Sequence, residues 1–263
     1  MQTPLDIPEN DCKHLLRVAR FIDGEWQWMD DTVTREEVFS IRWSHDAPET
    51  GDENSGSALL WAWPQAPALL ALGHVLLDRV PSSHSLHRTA TVEAEPDGAF
   101  HVRIGSDLPG GPPSAPKSWS ADSLFQAMHA FISAGGHWDD TGCFHRAGVF
   151  DPLADRLVYR SEDIGRHNCV DRLAGWSVSH QIPLSDKVLL VSARLTSSLC
   201  AKALRAGFRI LVSRSAVTSA AINMCRATEA TLVGFARTAE RRFTVFTDEP
   251  ERLGRPFRGA DRT

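Results

Sequence analysis

The 263-residue chain has no Cys-x-x-Cys pair, no internal repeat and no long low-complexity tract. No apolar run approaches the ~20 residues of a membrane span. Each absence removes a class of function. The five cysteines (Cys12, Cys143, Cys169, Cys200 and Cys225) are odd in number and dispersed, so they do not form a disulfide framework of the secreted type. The opening residues MQTPLDIPENDCKHLL lack the basic-then-apolar layout of a secretory signal, and the expected compartment is the cytoplasm. A formal net charge of -5 argues against a general nucleic-acid coat while permitting a local basic pocket. No GxSxG elbow supports a serine hydrolase, and no HxE followed by PCxxC supports a zinc deaminase.

What is present suits a globular chain. Hydrophobic residues make up 42% and charged residues 23%, and the length accommodates one large domain or two small ones. Two segments, 44–57 and 105–118, carry linker composition rich in turn formers and proline. Before and between them the pattern is mostly strand: 17–22, 38–43, and the pair 90–95 and 99–104 around a Pro-Asp-Gly turn. Apolar residues at three- and four-residue spacings predict a helix over 67–80. A second helix over 120–133 has Ser120 as N-cap and Leu124, Phe125, Met128 and Phe131 on one face. Further on, strands at 187–193, 208–215 and 231–237 alternate with helices at 196–207 and 219–230. That order with short loops predicts a right-handed parallel βαβαβ unit.

Ligands in open α/β sheets bind beyond the carboxyl ends of the strands, where helix N-termini point. Two loops leave that edge, SARLTSS (192–198) and SRSAVTSA (213–220), each with an arginine beside hydroxyls ahead of a helix. Free N–H groups, the helix dipole and the guanidinium forks of Arg194 and Arg214, with Ser213, Ser215 and Thr218, suit a phosphate or pyrophosphate. Simple helix capping is the competing reading. The exit of the third strand, FARTAERR (235–242), adds Arg237, Arg241 and Arg242, so a nucleotide-sized anion fits. The stretch EDIGRHNCVDR (162–172) packs six charged or imidazole side chains, a glycine and a cysteine into eleven positions. It falls between a strand over 156–164 and a helix over 168–180 capped by Asn168, which places Gly165, Arg166 and His167 in the turn. Cys143, His145, His167 and Cys169 raise a Cys2His2 zinc site, but their i, i+2 spacings are not the usual ones. Cys143 beside His145 is alternatively an activated thiolate or a buried inert cysteine. Cys200 and Cys225 read as core packing.

Several segments resemble a known family. TGCFHRA resembles TGGxHxA, and EDIGRHNCVDR resembles EDIGRHNAVDK. SARLTSSLCAKALRAGFRILVSRSAVTSAAI resembles SGRxSxExVxKAxxAGxPxxxSxSAPTSxAV, and TLVGFARTAERRFTVFTDEPERL resembles a closing GFxRxxxxxxYTxPxRI. Upstream, REEVFSIRW resembles an EExPLxIRVNG entry and APALLALGHVLLDRV an EELALGFLLxEGII helix. Together these resemble the formate dehydrogenase accessory proteins of the sulfurtransferase (sulfur carrier) family. The resemblance implies a cytidine-deaminase-like three-layer α/β domain with a smaller β-rich N-terminal part, forming homodimers. It implies sulfur taken as a persulfide from a cysteine desulfurase and passed to the molybdenum cofactor, bis-molybdopterin guanine dinucleotide, for a molybdenum-dependent formate dehydrogenase. The family's cofactor-binding stretch matches Phe235, Ala236, Arg237, Thr238, Ala239 and Glu240, with a guanine nucleotide as surrogate ligand; no resident metal, nucleic acid or membrane is implied.

One departure stands out. The family's sulfur-carrying CGxCG loop is replaced by SDLPGGPPSAPKSW, which holds no cysteine. Ala193 and Val217 also replace a motif Gly and Pro, and Cys143 replaces a Gly. Either Cys143, with His145 nearby, has taken over sulfur carriage, or this member is a cofactor-binding chaperone or regulatory paralogue without sulfurtransferase activity. The expected organisation is an N-terminal tail (1–17), a β-rich region (18–118) with one helix and two linkers, an α/β cofactor-binding domain (119–253) and a C-terminal tail (254–263).

Overall fold

The computed structural model describes residues 13–45, 55–80, 86, 88–107 and 119–254. The chain opens with a two-stranded antiparallel ribbon of β1 (Lys13–Ile22) and β2 (Glu25–Thr34). It turns at Asp23-Gly24, where both residues hold positive φ (52° and 88°), the conformation for which Asp-Gly is suited. Residues 13–17, expected as part of a tail, are therefore strand. Both faces of the ribbon are open to solvent, so no apolar-polar alternation marked its full length.

Next come β3 (Glu37–His45), β4 (Ser55–Ala62), helix α1 (Pro67–Asp78), β5 (Arg88–Ala94) and β6 (Phe100–Asp107). They form a four-stranded sheet in the order β4-β3-β6-β5. The expected hairpin is present, with Ala94 opposite Phe100 and Gly98 at φ 83°. The two linker assignments need correction at their ends. Ser44 and His45 close β3, Ser55 to Ser57 open β4, and Gly105 to Asp107 belong to β6. The remaining parts, 46–54 and 108–118, lie outside the described residues. Ile41, Leu72, Val75, Leu76, Phe100 and Val102 pack α1 against this sheet.

The larger unit contains α2 (Ala121–Ser133), α3 (Trp138–Thr141), β7 (His145–Asp151), β8 (Arg156–Asp163), α4 (Arg166–His180), β9 (Val188–Val191), α5 (Ser197–Arg205), β10 (Ile210–Ser213), α6 (Ser219–Ala227), β11 (Thr231–Arg237) and β12 (Arg242–Thr247). Its six strands run in the order β12-β11-β10-β9-β7-β8. β9, β10 and β11 are parallel, as their alternation with helices required, while β7, β8 and β12 run antiparallel to their neighbours. Leu189 and Val191 face the core shared with α4 to α6, whereas Val188 and Leu190 face the core shared with α2. Burial on both faces explains the uninterrupted apolar run of β9. Ser120 caps α2 by accepting from Ser123 N at 3.0 Å. The result is a three-layer α/β unit, with α1 laid against the outside of α4. That contact is backbone to backbone: a Cβ on Gly73 would sit 1.8 Å from Asp171 O, and one on Gly175 2.1 Å from Leu69 O. No described helix is long and apolar enough to cross a membrane.

Candidate functional site

Strand register brings the sequence-predicted loops to one sheet edge. β9 and β10 end together, with Val191 opposite Ser213. β7 runs the other way and begins there, Ala147 lying opposite Val191, and its first residue His145 pairs with Asp163 at the end of β8. The loops after β9 and β10 are stitched side by side. Leu195 N donates to Ala216 O (3.0 Å), Thr218 N to Leu195 O (3.1 Å) and Arg214 N to Val191 O (3.0 Å). Phe235 N donates to Ser215 O at 2.8 Å, which joins the exit of β11 to the same cluster. Phe235 sits at φ 52° inside a register shift between Gly234 and Arg237, so the strand kinks where it leaves the sheet.

The stretch 162–172 spends most of its charge on itself and its neighbours. Asp163 is fully buried and accepts from Arg172 Nε (3.0 Å) and Nη2 (2.7 Å), Gly165 N (2.9 Å) and Asn168 Nδ2 (3.0 Å). Arg172 also donates to the carbonyls of Trp63 (2.7 Å) and Ala66 (3.0 Å), tying the turn before α1 to α4. Glu162 lies 3.0 Å from Arg146 Nε and accepts from His137 N at 2.9 Å, which shapes the turn ahead of α3. Asn168 is not the helix cap. Gly165 is the N-cap, and Arg166 and His167 are the first residues of α4, because the Asn168 amide is drawn to Asp163 and to Trp61 O (2.9 Å) instead.

What remains uncompensated is positive. Among the described residues, Arg166, Arg194 and Arg214 have no carboxylate partner. Arg166 and Arg194 both act on His145, whose pKa is held below the ordinary histidine value first by burial and then by those two charges. His167 is depressed by burial, then by Lys202 and Arg166. His167 Nε2 lies 3.1 Å from Ser198 Oγ, and Ser198 Oγ lies 3.1 Å from Thr196 Oγ1, so the turn at 165–167 joins the loop after β9. The edge thus offers unpaired guanidinium groups, hydroxyls and two imidazoles, an arrangement suited to a polyanion.

Not every predicted residue is free to touch a ligand. Ser213 is buried, donates to Ala193 O at 2.7 Å and accepts from Ser215 N at 2.8 Å, so its hydroxyl braces the two loops. Ala236 is 1% exposed and belongs to the core beneath the sheet. Arg237 is paired with Glu240 at 3.0 Å, and Arg242 also donates to Glu240, on an exposed turn that includes Thr238 and Ala239. Thr218 caps α6 by accepting from Ala221 N at 3.3 Å. Cys143 is exposed, just beyond Gly142, which ends α3 at φ 68°. Cys169 is buried, its thiol donates to His145 O at 3.4 Å, and burial pushes its pKa well up. With that sulfur turned to a carbonyl, Cys143, His145, His167 and Cys169 do not gather as a zinc shell; the described groups close enough to hold a metal are His74, Asp78 and Asp171. Cys200 and Cys225 are buried in the core, as expected, and their contact raises the Cys200 pKa.

The sequence reading missed that last cluster. Lys202 Nζ lies 2.7 Å from Asp78 and 2.6 Å from Asp171, and His74 Nδ1 lies 3.2 Å from Asp78. The available signal was three i, i+4 spacings, His74 with Asp78, His167 with Asp171 and Ser198 with Lys202.

Fold and edge together define an α/β protein that gathers arginines, hydroxyls and imidazoles at the carboxyl ends of its strands. The FdhD/NarQ family model matches residues 103–254, more than half the chain, and the chain belongs to that family. It is 38% identical over 128 residues to the sulfur carrier protein FdhD of Bacillus pumilus, covering 49% of this chain and 47% of that one. It is 38% identical over 144 residues to the namesake from Mycolicibacterium paratuberculosis, covering 54% and 52% respectively. Over 111 residues it is 35% identical to protein FdhD of Methanocaldococcus jannaschii, covering 42% of this chain and 48% of that one. The chain spans about half the length of the curated relatives it matches. The crystal structure of a proposed formate dehydrogenase accessory protein from Desulfotalea psychrophila superimposes with a TM-score of 0.72 over 92% of this chain and 99% of that one, at 22% identity, and shares the fold.

Proposed function

We propose that this protein serves the maturation of a molybdenum-dependent formate dehydrogenase by binding the molybdenum cofactor, as bis-molybdopterin guanine dinucleotide, at the carboxyl edge of the six-stranded sheet. The observation that carries this reading is the set Arg166, Arg194 and Arg214, without carboxylate partners among the described residues and borne on the start of α4 and on two loops whose backbones are locked together at one sheet edge. The cofactor is cargo, and its guanine nucleotide phosphates would take the guanidinium forks. Phe235 and Thr238, half-buried at the β11 exit, complete one side. GDP is the surrogate for the test. It binds the wild type, and Arg214→Ala weakens it about tenfold or more, since a charge-assisted bond is worth about 1.5–3 kcal/mol. Unchanged affinity removes Arg214 from the site.

Sulfur carriage is a separate step, and Cys143 is the candidate for it, with His145 two residues on. Its exposure supports this reading, whereas Cys169, Cys200 and Cys225 are buried. A desulfurase-bound persulfide would hand its outer sulfur to the Cys143 thiolate, leaving the desulfurase cysteine as a thiolate. Intact mass after incubation with a cysteine desulfurase and cysteine tests it: an added sulfur lost in Cys143→Ala supports carriage. An adduct on neither protein supports the cofactor chaperone without sulfurtransferase activity. Free, buried cysteines fit a reducing cytoplasm. Leu15, Phe21, Trp26 and Trp28, exposed by 58–72% on the β1–β2 ribbon, support a homodimer that covers them.

A further inference from the structure

α1, α4 and α5 each present one i, i+4 pair to a single cavity of about 430 Å³: His74 and Asp78, His167 and Asp171, Ser198 and Lys202. The seam rests on close approach of the helices. Gly73 and Gly175 let the α1 and α4 backbones touch, which sets His74 beside Asp171 at 3.7 Å. Lys202 is 4% exposed and Asp171 1%, so neither charge is compensated by water. The Lys202 ammonium answers both carboxylates, at 2.7 Å and 2.6 Å, and Arg205 adds a bond to Asp78 at 2.8 Å. A metal ion at His74, Asp78 and Asp171 would have to displace that ammonium; the chain supplies its own cation.

The consequence is read one turn away. Lys202 and Ser198 share a face of α5, and His167 and Asp171 share a face of α4. Pinning Lys202 to Asp171 therefore fixes Ser198 against His167, where the oxygen and Nε2 are 3.1 Å apart. We propose that Lys202 is a positioning residue for the anion site: clamped between Asp78 and Asp171, it holds α5 so that the Ser198 hydroxyl donates to His167 Nε2 and the imidazole proton stays on Nδ1 for the ligand. A neutral imidazole with Nε2 accepting has its one N–H at Nδ1. Burial, then the nearby Lys202 and Arg166 charges, hold the His167 pKa below the ordinary histidine value, which favours the neutral ring. In this arrangement Lys202 acts through His167.

This inference rests on the anion-site reading, so the experiment separates the two. Long-range ¹H–¹⁵N spectra of the imidazole report the His167 tautomer in the full-length protein without ligand, and GDP titration reports the site. The wild type shows the Nδ1–H tautomer. Lys202→Met loses that preference and raises the GDP dissociation constant about tenfold, the scale of one charge-assisted contact. Ser198→Ala, which leaves the Lys202 clamp intact and keeps the fold, does the same to the tautomer and weakens GDP several-fold. An Nδ1–H tautomer persisting in Ser198→Ala, or GDP binding unchanged by it, overturns the inference. Absence of GDP binding by the wild type overturns the nucleotide reading instead, and the tautomer spectra still decide the role of Lys202.

Discussion

Replacing Asp163 by asparagine tests how the 162–172 stretch is built. The carboxylate is completely buried and divides its work between two oxygens. Oδ1 accepts from Gly165 N and Asn168 Nδ2, while Oδ2 accepts both Arg172 contacts, at 3.0 Å and 2.7 Å. Asparagine can keep the first oxygen's bonds but must set an NH2 against the Arg172 donors. Two charge-assisted bonds vanish and a guanidinium 3% exposed is left without its counter-charge. Breaking a buried pair this way costs about 3–5 kcal/mol, a large share of the ~5–15 kcal/mol by which a domain is stable. Urea denaturation followed by tryptophan fluorescence measures it. With a slope near ~3 kcal/mol/M, the midpoint falls by about 1 M or more. The double variant Asp163→Asn/Arg172→Met should recover part of the loss, since it removes the stranded charge. A midpoint within ~0.3 M of wild type would refute the pairing.

Three further outcomes follow from the same geometry. Gly175→Ala forces a methyl to within 2.1 Å of Leu69 O, a backbone atom, and should lower stability by about 1–3 kcal/mol or more by calorimetry, with α1 displaced. His145 has its folded pKa depressed by burial, then by Arg166 and Arg194, so the unfolded chain takes up its proton first as pH falls through about 6.5. Stability from this group is present above that pH and is lost below it; His145→Asn should flatten the fall in unfolding free energy between pH 7 and pH 5. Alkylation near neutral pH should label exposed Cys143 before buried Cys169, Cys200 and Cys225, as peptide mass mapping will read; uniform labelling contradicts the burial.

The βαβαβ unit was legible because β9 and β10 are buried on both faces and their helices carry clear starts and stops. Of the ribbon only 17–22 was legible as strand; the start of β1 and the whole of β2 were not, because strands exposed on both faces have no period, although Asp23-Gly24 marked the turn. Part of β4 was hidden in a polar stretch that composition alone assigns to a linker. At the site, sequence placed Arg166, Arg194 and Arg214 at one edge by topology. It could not tell that Ser213 and Ala236 turn inward, since pleat direction at a strand end depends on the bulge at Phe235 and on neighbouring loops. Asn168 was read as a cap by local rules, but Asp163, five residues away, holds its amide. The Lys202 clamp joins residues 124 positions apart and needed the fold to be visible.

The most direct test of the account is isothermal titration with GDP, GMP and guanosine under one salt condition. If the unpaired guanidinium groups at the strand ends hold the ligand through its phosphates, affinity falls stepwise from GDP to GMP and is lost for guanosine. Equal affinity for GDP and guanosine, or no binding by any of the three, would contradict it.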